Sequence, residues 1–405
     1  MRLNHLSLTN FRNYVRLDLD LSNAITLLQG DNAEGKTNLL EAIYYLATAS
    51  SPRARTDREL INWLANEEQM PFARLEAEVE EGDAPRRVSI ALVRTPNRLQ
   101  KEIRINGVKR RALDLIGQVK AVLFMPEDID LIAGSPDARR RYLDASISQI
   151  DRRYYQSLQV YDRVLRQRNS LLRRLRERHR DPHQLDFWDQ RLTGEGSKLI
   201  ARRLEVVAEL DRLIQDIHPN LTGGAERLRL LYRSTLPLAE DAGLEAKYQL
   251  PLQIPGSAPT AAQAEALSAS QIKTLFQQRL EARRGEEIER GMTLTGPHRD
   301  DVRFLVGGVD MCVYGSRGQQ RTIAISLKLA EVELIRSETQ QEPILLLDDV
   351  MSELDEERRR YLMDVINGEQ QVIITSTDLD PFAPPFLEQA TVWRIDGGRV
   401  EQLSP

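Results

Sequence analysis

Cysteine is almost missing from this chain: Cys312 is the only one in 405 residues. A lone thiol excludes any intramolecular disulfide and fits a reducing compartment. Histidine is nearly as scarce, with five scattered copies. His179 and His183 stand four apart, but Pro182 between them breaks the helix that would align them, so no zinc framework is expected. Long apolar runs are missing too. Stretches such as Ile344 to Leu347 fall far short of the roughly 20 residues that cross a bilayer, and the first twenty residues alternate without a signal-peptide core. The expectation is a cytosolic protein with no membrane partner. Charge of one sign is not in excess overall: 56 Lys plus Arg face 61 Asp plus Glu, a net of -5. Such a balance argues against general affinity for nucleic acid until its distribution along the chain is considered.

What is present divides into stretches of different character. Leu3, Leu6 and Leu8, then Leu17, Leu19 and Leu21, alternate with polar residues and read as paired strands around Asn10 to Tyr14. Ala24 to Gln29 reads as a strand running into a glycine-flanked loop. Leu39, Leu40, Ile43, Tyr44 and Ala47 then recur at helical spacing, so the chain opens as an α/β unit. Short strands follow to about residue 125, with Asn106-Gly107 as a hairpin turn. From about Ala138 to Pro219 glycine becomes rare and arginine common. Ile147, Ile150, Tyr154, Leu158, Tyr161, Leu165, Leu172 and Leu175 step by three, four or seven, the spacing of a helix-packing seam. One helix over Arg139 to Asp181 would extend about 60 Å. Beyond Pro182 a second helix, from Leu185 to Ile217, can fold back on it and ends at Pro219 and Gly223-Gly224. Leu236 to Ser270 reads as a connector before a third helix, about Gln271 to Arg290.

The chemistry concentrates in two motifs. Gly30-Asp31-Asn32-Ala33-Glu34-Gly35-Lys36-Thr37 is a complete G-x-x-x-x-G-K-T. Its backbone N–H groups can surround a β-phosphate, Lys36 can reach the β- and γ-phosphates of ATP, and the Thr37 hydroxyl can ligate Mg²⁺. Ile344-Leu345-Leu346-Leu347-Asp348-Asp349 is an apolar strand ending in two carboxylates. Asp348 at its tip can hold the same Mg²⁺, and Asp349 can orient the attacking water. Lys36 and Asp348 are 312 residues apart, so the helical arm must be inserted within one nucleotide-binding fold. The expected division is residues 1–130 as the N-terminal lobe of an ATPase head, 131–290 as the inserted arm, and 291–405 as the C-terminal lobe. A third stretch, Tyr314-Gly315-Ser316-Arg317-Gly318-Gln319-Gln320-Arg321, leads into an amphipathic helix from Thr322 to Ile335. Alone it fits either an anion-binding turn or a plain helix cap.

Together these stretches resemble the ATP-binding cassette head of the SMC-like ATPases, an α/β P-loop fold with an inserted, antiparallel coiled-coil-like arm. That resemblance implies that Ser316 and Gly318 cover the γ-phosphate held by a second copy of the chain, in an ATP-bound homodimer. It also implies that Arg12 contacts nucleotide phosphate. It aligns Asp349 with the usual catalytic glutamate and Thr377 with a histidine common among relatives. Within the superfamily, Phe124-Met125-Pro126-Glu127-Asp128, Gly134-Ser135-Pro136, Arg139-Arg140-Arg141-Tyr142-Leu143-Asp144 and Thr295-Gly296-Pro297-His298-Arg299-Asp300-Asp301 resemble the RecF family. Membership would imply a weak DNA-stimulated ATPase, binding to double- and single-stranded DNA, cooperation with RecO and RecR in gap repair and replication restart, and SOS induction.

The arginine distribution revises the first inference from net charge. Residues 139–180 hold 13 Arg and no Lys against four acids, leaving +9 in a chain of -5. Four acids cannot pair 13 arginines locally, so Arg139, Arg140 and Arg141 are candidate DNA phosphate contacts, the alternative being a solvated helix face. His298 and Arg299 fit either DNA contact or support of the nucleotide loops. Two further classes are open: a structural DNA-bridging ATPase, which would need a long coiled coil and hinge, and a transporter ATPase, which would need a compact coupling subdomain.

Overall fold

The computed structural model describes residues 1–67, 70–81, 84–95, 98–178, 181–238, 267–366, 370–380 and 382–403. His179 and most of the expected connector, residues 239–266, lie outside them. No helix among the described residues is long and apolar enough to cross a membrane. The chain forms two compact units. One comprises 1–128, 148–150 and 325–405, and the other 129–147 and 151–324. Residues 291–324, including the stretch Tyr314 to Arg321, were expected with the C-terminal lobe and fall in the second unit.

The first unit carries two six-stranded sheets. In one, Arg2–Phe11 pairs antiparallel with Tyr14–Asp20 on one side and Phe72–Glu81 on the other, and the sheet continues through Ala84–Arg94, Leu99–Ile105 and Val108–Arg110. Alternation in the first strand does what the sequence predicts: Leu3, Leu6 and Leu8 are fully buried. The expected turn at Asn106-Gly107 is present, with both residues at positive φ (51° and 77°). The other sheet runs in the order Arg399–Gln402, Ala390–Asp396, Ile25–Gln29, Val372–Ser376, Ile344–Asp348, Ala121–Phe124, parallel except at its outer hairpin. Continuous apolar runs, not alternation, mark these strands because both faces are covered: every residue of Ile344–Asp348 is buried. The helix Lys36–Thr48 packs through Leu39, Leu40, Ile43 and Tyr45, which share one core with Leu6, Leu75, Ile90 and Leu346.

The second unit is mostly helical. Its arm is not one 43-residue helix but two, Pro136–Ile150 and Arg152–Arg178. Asp151 causes the break: its backbone leaves helical geometry (φ -134°, ψ 100°), and its carboxylate accepts from Arg153 N and Tyr154 N at 2.8 and 3.0 Å, capping the next helix. The longer segment therefore spans about 40 Å instead of about 60 Å. Asp186–Leu221 folds back against it, Ala269–Arg290 packs on both, and Gly223 and Gly224, both at positive φ, follow the turn. Tyr154, Tyr161, Leu172 and Leu175 are buried as the seam requires. The seam also holds charge. Arg168 is fully buried and bonds Asp189, Glu287 and Thr293, and buried Arg203 bonds Asp144, Tyr154 and the Pro297 carbonyl.

Candidate nucleotide site

The G-x-x-x-x-G-K-T segment lies where its mechanism needs it, between the buried strand Ile25–Gln29 and the start of the helix Lys36–Thr48. Gly35 sits at φ 114°, a conformation that strains any L side chain, and a Cβ there would also press on the Asn13 amide. The loop is braced from neighbouring elements. Asn13 Nδ2 donates to Glu34 O (2.9 Å), Tyr14 OH donates to Gly35 O (3.0 Å), and Gly398 N donates to Glu34 O (3.2 Å). The Glu34 carboxylate accepts from Gly397 N in the same C-terminal hairpin turn. Asp31, Asn32 and Ala33 form the exposed crest. Lys36 is 6% exposed, and its ammonium donates to Gly30 O and to Asp31 O at 2.9 Å. Burial lowers its pKa, opposed by the charges of Asp349, Asp348, Asp31 and Glu34. Those carbonyls are weak substitutes for a phosphate, which would draw the lysine outward.

The two motifs meet at Asp348. Its Oδ1 accepts from Thr37 Oγ1 at 2.9 Å and from Thr375 Oγ1 at 2.8 Å, while Thr375 Oγ1 accepts from Asp349 N at 2.9 Å. Burial raises the Asp348 pKa and the two hydroxyls oppose it, so a cation beside the carboxylate would favour the charged form. The donors suit Mg²⁺. Thr37 and Asp348 are two hard oxygens on separate elements, and among the described residues no three His, Cys, Asp or Glu converge into an all-protein cage, which leaves room for phosphate oxygens and water. Asp349 adopts a left-handed backbone (φ 49°), and its Oδ1 is buried with no hydrogen-bond partner among the described residues. A carboxylate oxygen held in reserve one residue beyond Asp348 can accept a proton or orient water.

Arg12 stands at φ 51° and is held by a residue the motifs do not reveal. Its Nε and Nη2 both donate to the Glu41 carboxylate at 2.8 Å, and Nη1 donates to Glu59 O at 3.1 Å. Glu41 is 1% exposed and also accepts from Ser51. An acid inside the apolar run Leu39-Leu40-Glu41-Ala42-Ile43 was the available signal. Thr375 and Asn13 gave none, because their roles depend on strands far apart in sequence. The turn Phe124 to Asp128 is ordered by Asp128, which accepts from Met125 N (2.8 Å). Burial raises its pKa to about 6 against the opposing charge of Lys328.

Ser316 and Gly318 belong to the second unit, exposed at the start of the helix Arg317–Thr339. Ser316 and Gln319 cap each other, with Ser316 N donating to Gln319 Oε1 (3.1 Å) and Gln319 N to Ser316 Oγ (3.3 Å). Gln319 Nε2 also donates to Glu226, which accepts from buried His218. Burial divides the basic triplet Arg139 to Arg141. Arg139 is 3% exposed, and its guanidinium forms two bonds to Asp301 (2.7 and 3.1 Å) and one to Gly134 O (2.9 Å), so it is a buried structural group and not a DNA contact. Arg140 donates to Asp300 O at 2.9 Å and is largely covered, whereas Arg141, paired with Asp137, faces solvent. His298 bonds Tyr161 OH at 2.7 Å and Thr293 O at 3.2 Å, which makes it a tie within the arm unit.

Residues 2–384 match the RecF/RecN/SMC N terminal domain. The chain is 43% identical to the DNA replication and repair protein RecF of Chloroflexus aurantiacus, covering 99% of each. It is 37% identical to the protein of the same name from Bacillus subtilis, covering 99% of this chain and 100% of that one. A solved structure of the recombination mediator protein RecF with ATP, in the RecFOR pathway, superposes with TM-score 0.84 at 30% identity, covering 100% of this chain and 98% of that one.

Proposed function

The chain belongs to the RecF family of SMC-like ATP-binding cassette ATPases, and from that membership we propose that it is an ATP-dependent DNA-binding protein of DNA replication and recombinational repair. The observation that carries the nucleotide half is the bonded chain Thr37, Asp348, Thr375, Asp349, which joins the phosphate loop to the paired acids across three elements. In this reading ATP draws Lys36 off the Gly30 and Asp31 carbonyls, and the Gly30 to Thr37 amides take the phosphates. Arg12, aimed by Glu41, adds a second cation. Thr37 and Asp348 would hold Mg²⁺, which would offset phosphate charge when bound. Asp349 orients water for a slow, DNA-stimulated hydrolysis. Ser316 and Gly318, exposed and backed by the Gln319, Glu226 and His218 bonds, cover the γ-phosphate on a second copy of the chain. Two ATP-bound copies close on double-stranded DNA, or on the single-stranded part of a gap, and act with RecO and RecR at gaps and stalled forks and in SOS induction.

Lys36→Met tests the core of this reading. The variant should lose ATP-dependent dimerisation in sedimentation velocity, and dimerisation at the wild-type level would overturn it.

A further inference from the structure

Three polar side chains from separate stretches of the second unit meet behind exposed Ser316, and Glu226 is the middle one. Its Oε1 accepts from Gln319 Nε2 at 2.7 Å, and its Oε2 lies 3.3 Å from His218 Nε2. An ionised carboxylate only accepts, so His218 donates through Nε2. His218 is fully buried in the last turn of Asp186–Leu221, whereas the Glu226 side chain keeps 22% exposure. The chain reverses between them. Gly223 and Gly224 sit at φ 57° and 76°, and Gly224 N donates to Pro219 O at 2.9 Å, which brings Glu226 back beside the helix end. Just beyond Glu226 the strand Leu228–Arg233 pairs with Asp301–Val306, whose partner hairpin strand Val309–Asp310 leads to Ser316. Glu226 is therefore held between a helix end and a strand, facing the first turn of Arg317–Thr339.

The bond to Gln319 has a direction. A glutamine amide accepts at one end and donates at the other, and a half turn about its last torsion exchanges them. Here the accepting end takes Ser316 N at 3.1 Å, while Gln319 N donates to Ser316 Oγ at 3.3 Å. The 2.7 Å bond to Glu226 is the shortest of the three and the one with a charged acceptor, so it is the strongest. Because Glu226 cannot donate, it takes the Nε2 end and leaves Oε1 facing Ser316 N. We propose that Glu226 is the positioning residue of the Ser316 turn: it fixes the Gln319 amide, the amide fixes Ser316, and His218 ties the set to the end of the helix Asp186–Leu221. The proposal rests on the reading in which Ser316 covers the γ-phosphate on a second copy, and it names the group that holds Ser316 ready. Charge alone predicts the opposite effect, since an acid behind a turn that meets phosphate repels it.

The test measures dimerisation of the full chain with ATP in sedimentation velocity, beside ATP binding by the monomer. Glu226→Leu should raise the dimer dissociation constant about tenfold or more, the usual effect of losing a hydrogen bond to a charged group, while the monomer binds ATP within about twofold of wild type. Glu226→Gln still offers an oxygen to Gln319 and should dimerise within about threefold of wild type. Gln319→Leu should lose at least as much as Glu226→Leu, and the double variant no more than Gln319→Leu, because both substitutions break one contact. Additive losses in the double variant would overturn the proposal. So would an unchanged or tighter dimer in Glu226→Leu, the second being the outcome that charge alone predicts. If Glu226→Leu does not fold, Gln319→Leu at its half-exposed helix position decides, and a wild-type dimer constant there would also overturn the proposal. If the wild-type chain does not dimerise with ATP, or Ser316→Arg dimerises as well as wild type, the reading of Ser316 fails; if Ser316→Arg is blocked and Glu226→Leu is not, only the role of Glu226 fails.

Discussion

The Thr375 hydroxyl is the hinge pin of the nucleotide site, because it donates to Asp348 and accepts from the Asp349 backbone. Valine has the same branching and would keep the strand while deleting both bonds. Thr375→Val should therefore bind ATP within about twofold of wild type while its steady-state turnover drops about 10- to 100-fold, the usual loss when a group orienting a metal ligand is removed. Turnover at the wild-type rate would show that Asp348 and Asp349 need no such support. At this scale the motif residues were legible because a P-loop lysine, its threonine and a strand-end acid pair are chemically specific at fixed spacing. Thr375 and Asn13 were not, since each is defined by a bond to a residue more than 20 positions away. Arg139 shows the opposite failure. Its charge was read correctly and its destination was not, because sequence does not show that Asp301 waits 162 residues later.

Helices and strands were predicted best where periodicity is long and worst where one polar residue intervenes. Asp151 divides the arm helix although the apolar stepping continues across it, since a short carboxylate at a helix start competes with the helical backbone. Packing within the arm depends on Gly196, in the first third of Asp186–Leu221. A Cβ there would lie 2.6 Å from Phe276 and 2.9 Å from Tyr161, so the three helices approach through the missing side chain. Gly196→Leu should overpack this crossing and lower stability by about 1–3 kcal/mol, seen as a lower urea midpoint. An unchanged midpoint would mean that Phe276 swings aside without loss.

In the whole molecule the motif residues fall in different units: the P-loop and the paired acids belong to one compact unit and Ser316 to the other. Ser316→Arg should leave ATP binding by the monomer within about twofold of wild type, because no bond of the P-loop cluster involves it, yet block dimerisation with ATP in sedimentation. Loss of ATP binding by the monomer would place Ser316 in its own chain's site instead. Local spacing along the chain carries the chemistry and the class of fold. A complete phosphate loop, a buried strand ending in acids, a long insertion between them and one thiol leave few alternatives, because each rests on local spacing that one stretch of chain contains. Only the tertiary structure decided which charges are free. Burial is a property of packing, and the same guanidinium is a structural tie when a carboxylate meets it in the interior, as for Arg139 and Arg168, and faces solvent when the opposite face of its helix is the one that packs, as for Arg163 and Arg174.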